Sequence, residues 1–142
     1  MKIHVFKLTL AAILALILVS CNDDDDYIPK FNSEFLKQTE WTGTFKTIKD
    51  GDVESSFNIT MFFTTDSRGT YDSNNNLIID KDFEYGLDDN LMVIYGRQGR
   101  VIVGDWVLLE IKKNELSFRK GLSSSNTYYK LDLRRKTERR NR

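Results

Sequence analysis

The chain has one histidine, His4, one cysteine, Cys21, and one proline, Pro29. Beyond residue 21 it holds no imidazole and no thiol. This excludes Ser-His-Asp and Cys-His nucleophilic systems from the rest of the chain. It equally excludes His/Cys zinc sites and an internal disulfide. Carboxylate pairs and Lys/Tyr systems stay open, because those residue types are plentiful. An excess of one charge is also lacking: the 142 residues carry 21 basic and 21 acidic side chains. Residues 1–20 contain two of the basic ones, Lys2 and Lys7, and no acid, so the remainder has 19 against 21, a net of −2. Such a balance gives no overall pull toward nucleic acid, and no nucleic-acid partner is expected.

The one long apolar run is at the start. Leu8 to Val19 is interrupted by Thr9 alone and follows the positive Lys2 and Lys7. A helix needs about 20 apolar residues to cross ~30 Å of hydrocarbon. The run is shorter than that and fits the apolar region of a signal peptide. Leu18-Val19-Ser20-Cys21 follows directly and resembles the lipobox of bacterial lipoproteins. The resemblance implies thioether attachment of diacylglycerol to Cys21, cleavage before it and acylation of the new terminus. Two or three acyl chains hold a protein on a bilayer, whereas one chain, at ~0.8 kcal/mol per buried CH₂, binds marginally. The alternative is an uncleaved membrane anchor with an incidental cysteine. Asn22-Asp23-Asp24-Asp25-Asp26 comes next. An acidic block beside an anionic membrane is repelled and stays solvated. Here it resembles the export signal that sends some Gram-negative lipoproteins to the outer face of the outer membrane. The expected location is therefore the cell surface, with the membrane as partner through the lipid anchor.

After a linker over 22–32, Ser33 to Glu40 has the pattern of one or two helical turns, with Ser33 as N-cap and Glu34 in the first turn. From Trp41 the period changes to two, with polar turns between runs, which predicts antiparallel strands. Trp41, Gly43 and Phe45 share a face, as do Phe57, Ile59, Met61 and Phe63. Asp50-Gly51 between them favours the positive φ of a tight hairpin. Short strands are expected over Arg68 to Tyr71 and Leu77 to Ile79, then at Phe83, Tyr85 and Leu87, and from Leu91 to Tyr95. Val101 to Ile111 reads as the longest strand, with Val101, Val103, Val107, Leu109 and Ile111 in one phase and Trp106 in the other. Asp105 breaks that phase, which predicts a bulge near Gly104. Leu116 with Phe118, and Tyr129 with Leu131 and Leu133, complete the inward faces. Eight to nine short strands without a long helix must hide their edges, and closure into a barrel does so. The expected fold is all-β: a small antiparallel up-and-down β-barrel of about eight strands, preceded by a signal peptide and tether. Residues 1–20 are read as the signal peptide, 21–39 as the lipidated cysteine and acidic tether with a short helix, 40–135 as the barrel and 136–142 as a basic tail.

Trp41-Thr42-Gly43-Thr44-Phe45 and Tyr129-Lys130-Leu131-Asp132-Leu133-Arg134 resemble the opening and closing strands of lipocalin-like domains in bacterial lipoproteins. Phe83-Glu84-Tyr85, Leu91 to Tyr95, and Asn114-Glu115-Leu116-Ser117-Phe118 match the same rhythm, so the likeness covers residues 40–135. In that family the first-strand aromatic packs under an arginine of the last strand. By position, Phe45 or Trp41 would meet Arg134 in a cation–π contact of roughly 0.5–2 kcal/mol.

Three functional readings follow. The first is a non-catalytic binding module for a small apolar or amphipathic ligand, or for a surface protein or glycan, with no cofactor. Phe57, Met61, Phe63, Tyr85, Trp106, Phe118 and Tyr129 compete for the interior, which favours a filled barrel over an open one. The second is a carboxylate-only hydrolase, for which Asp105 is the candidate acid, against the simpler reading of an outward bulge residue. The third is an envelope inhibitor or immunity lipoprotein, contacting its target through Arg97 to Arg100 and Gly121 to Asn126. Asp66 to Asn76 lacks EF-hand spacing and reads as a turn rather than a metal site.

Overall fold

The computed structural model describes residues 28–74, 81–96, 101–121 and 125–137. Cys21, the signal segment and the acidic block lie outside the described residues. So do the Leu77–Ile79 strand, the 97–100 loop, residues 122–124 of the next loop and the tail from residue 138. Eight strands form, in chain order: β1 Thr39–Lys49, β2 Asp52–Phe63, β3 Arg68–Ser73, β4 Asp82–Asp88, β5 Leu91–Tyr95, β6 Gly104–Lys112, β7 Glu115–Lys120 and β8 Thr127–Arg135. Each strand pairs antiparallel with the next in sequence, and β8 returns to β1. The sheet is thereby closed, and among the described residues no strand lacks a partner on either side. This is the up-and-down barrel expected from the alternation.

The turns follow local chemistry. Asp50 and Gly51 have φ of 52° and 85°, the two positive values that a type I′ hairpin demands. Asp89, at φ 49°, turns β4 into β5. Ahead of the barrel, α1 (Ser33–Leu36) is a single turn. Its N-cap is Asn32 rather than Ser33: the Asn32 carboxamide oxygen accepts from the Phe35 amide at 3.0 Å. Leu36 is fully buried, and the Thr39 hydroxyl donates to its carbonyl. The Trp41 indole then donates to that hydroxyl at 2.7 Å. This relay pins α1 across the end of the barrel where β1 begins.

Strand β6 departs from expectation. It starts at Gly104, and Val101 and Ile102 lie in the preceding turn. The longest strand is β2, with 12 residues. Trp106 points inward and is fully buried, while Val107 and Leu109 are 41% and 56% exposed. The bulge lies further on than Gly104. Leu108 pairs with Phe118 and Glu110 with Ser117, leaving Leu109 as the extra residue. Beyond it the phase switches, so that Ile111 packs on the core although Val107 does not. Val-Leu-Leu is apolar on both faces, so period two alone could not fix its phase.

The other inward faces are as the alternation predicts. Trp41, Phe45, Ile59, Met61, Phe63, Phe83, Tyr85, Leu116, Phe118, Leu131 and Leu133 are all buried, with Met92 and Ile94 from β5. At the β1–β8 seam, a Cβ on Gly43 would stand 1.8 Å from the Asp132 carbonyl oxygen. The barrel closes there only because residue 43 has no side chain. Asp132 reinforces the seam from outside. Its carboxylate accepts from the Ser117 hydroxyl at 2.7 Å and from the Lys46 ammonium at 3.3 Å. Partial burial pushes its pKa up, but these donors and Lys130 outweigh that and hold it below the usual carboxylate value.

Candidate functional site

The barrel interior is occupied by its own side chains. Phe63 meets Tyr85 edge-on at 5.1 Å between ring centres and Phe83 at 5.7 Å. Phe45 stacks on Phe57 at 4.7 Å and meets Trp106 edge-on at 5.6 Å. Such ring pairs contribute about 0.5–1.5 kcal/mol each beyond area burial.

One end is closed by α1. At the other, residues 101–103, which lead into β6, turn inward. Ile102 is buried in the core, and the Trp106 indole donates to its carbonyl at 2.8 Å. Lys120 of β7 donates to the carbonyls of both neighbours, Val101 and Val103, the latter at 2.9 Å. Its ammonium also lies 4.8 Å from the Tyr129 ring centre and 5.2 Å from that of Trp106. Burial pushes the Lys120 pKa down to about 8, although carbonyl acceptors and ring faces favour the charged form. Three consecutive carbonyls of this segment are thus held by two side chains of the barrel wall.

A second feature lies on the outer wall. Thr64 and Thr65 from the β2–β3 turn, Arg68 and Thr70 of β3, Asp82 and Glu84 of β4, and Tyr95 of β5 surround a groove of about 630 Å³. Arg68 pairs in register with Glu84, and Glu84 with Tyr95. These three outward side chains form one row across three strands. The Arg68 guanidinium lies 3.4 Å from the Glu84 carboxylate. Tyr95 is 56% exposed and lies along the sheet over Gly86.

Asp105 is exposed on the outer face of β6 and is not an acid held inside the barrel. Arg134 does not cap the first-strand aromatic. It is exposed and pairs with Glu115 at 2.8 Å. Arg135 takes that place, 5.9 Å from the ring centres of both Trp41 and Phe35. The latch on Lys120 and the Tyr95 row were not apparent in the sequence. The signals that could have found them were a lysine ending the Leu116/Phe118 strand and a glycine opposite the Tyr95 strand. Among the described residues, no group of three or more acidic, histidine or cysteine side chains is placed to hold a metal ion. No helix among them is long and apolar enough to cross a membrane. Neither the family models nor the curated proteins with which the chain was compared match it.

Proposed function

We propose that this chain is a non-catalytic binding module of the cell envelope, lipid-anchored through Cys21 and displayed on the outer surface of the outer membrane. In this reading the barrel is a rigid scaffold, and recognition of a surface protein or glycan takes place on its outer wall and loops. The observation that carries it is the packing of the interior: rings fill the space that a calyx would leave open. Cavities that hold a drug-sized ligand run to about 300–1,000 Å³, and the outer-wall groove of about 630 Å³ is of that size.

A second reading, an amphipathic ligand bound at the loop-bearing end, is favoured by the Lys120 ammonium, which stands there beside the apolar faces of Trp106 and Tyr129. A saturable apolar fluorescent probe distinguishes the two. The outer-wall reading expects no saturable enhancement by the folded domain, and saturable binding would move the function inside. The anchor is tested by growth with labelled fatty acid. The wild-type chain should incorporate label and Cys21→Ala should not, and labelling of the variant would overturn the assignment.

A further inference from the structure

We propose that the outer-wall groove between β3, β4 and β5 is a binding site for a neutral saccharide, with Tyr95 as its stacking platform. The proposal rests on the outer-wall reading above and names its ligand class.

A pyranose ring presents two kinds of surface. Its axial C–H groups form an apolar face, and its hydroxyls radiate from the rim as paired donors and acceptors. A site for it needs an open aromatic face beside several fixed polar groups. Tyr95 supplies the face. A Cβ on residue 86 would come within 2.8 Å of the Tyr95 phenol oxygen and within 3.6 Å of two of its ring carbons. Glycine at that position lets the ring lie down on the sheet instead of standing into solvent. The phenol end rests beside Gly86, and more than half of the residue stays open. An exposed aromatic side chain already leaning on the sheet loses little freedom when a ligand stacks on it.

The rim groups stand next to it. Glu84 is the cross-strand partner of Tyr95 and Arg68 is that of Glu84. Thr64, Thr65, Thr70 and Asp82 add further polar groups to the wall. A guanidinium offers a fork of donors and a carboxylate a fork of acceptors, which suits neighbouring hydroxyls. The backbone under Arg68 is fixed, because the Thr65 hydroxyl accepts from the Arg68 amide at 3.0 Å. Tyr85 anchors the same turn from inside, donating to the Thr65 carbonyl at 2.7 Å.

Charge selects the class of sugar. Arg68 and Glu84 offset each other, and Asp82 adds a carboxylate, so the lining has one cation and two anions. An acidic polysaccharide would meet net negative charge, and a neutral one would not.

The test is a binding titration of the folded domain with neutral tetrasaccharides of glucose, xylose and mannose, with an acidic uronate tetrasaccharide alongside. The expected result is binding of at least one neutral sugar, weakened about tenfold or more in Tyr95→Ala and retained in Tyr95→Phe. Gly86→Ala should weaken it as well, by lifting the ring. Circular dichroism checks that each variant is folded, which the exposure of Tyr95 favours. Equal affinity in wild type and Tyr95→Ala would overturn the site. Preference for the uronate, or no binding of any sugar, would overturn the ligand class. Neither result decides the outer-wall reading, which is tested separately by the apolar probe.

Discussion

Trp41 and Arg135 face each other as register partners across the seam between the first and last strands. The guanidinium stands 5.9 Å from the indole centre and the same distance from the Phe35 ring, and the two rings are themselves 5.6 Å apart. One side chain therefore bridges α1 and the two strands, β1 and β8, whose pairing closes the barrel.

Replacing Arg135 with Ala should lower stability by roughly 0.5–2 kcal/mol, from lost cation–π contact and lost packing of its stem. Arg134→Ala should cost no more than about 0.5–1 kcal/mol, because its pair with Glu115 is solvent-exposed. Urea midpoints of the two variants at equal slope decide the matter. A larger loss for Arg134 would place the closing contact on the wrong arginine.

Lys120 should make the domain more stable as the solution becomes mildly alkaline. Below about pH 8 the side chain is protonated in both folded and unfolded chains, so the cost of burying the charge is fully present. Between about 8 and the ordinary 10.5, the unfolded chain binds the proton and the folded one has lost it. Stability then rises with pH. Tyr85 works the other way above its ordinary value of 10.0, since burial raises it to about 12. The clean window is therefore pH 8 to 10. Urea midpoints across it should climb for the wild type and flatten for Lys120→Met. Hydrogen exchange at residues 101–103 should quicken in that variant, because the segment has lost two of the three side-chain hydrogen bonds to its carbonyls.

Gly43→Ala should be among the most damaging small substitutions in the chain. Its methyl group would occupy the position of the Asp132 carbonyl oxygen. Backbone cannot step aside as a side chain can, so the seam must separate, at a cost of about 3 kcal/mol or more. Gly51→Ala meets no neighbouring atom and pays only for its φ of +85°, about 1–2 kcal/mol. Thermal unfolding of the two variants should show the larger drop for residue 43.

Much of this architecture is legible in the order of residues. Strict alternation marked the inward faces of β1, β2, β4, β7 and β8, because every second residue in a strand faces the same way. Asp50-Gly51 announced its hairpin, since few other pairs accept two positive φ angles. The lack of histidine and cysteine beyond residue 21 narrowed the chemistry before any fold was known.

Four things were decided only in three dimensions. The phase of β6 depended on a bulge at Leu109, because a strand apolar on both faces carries no alternation to read. The choice of Arg135 over Arg134 depended on the register of β8 against β1, where a shift of one residue reverses the face. The latch on Lys120 depended on a loop folding back toward a strand 17 residues later in sequence. The Tyr95 platform depended on a glycine one strand away. Sequence determines local periodicity and turn chemistry, which act over a few residues. Register, seam and groove arise between distant segments, and only closure of the barrel brings those together.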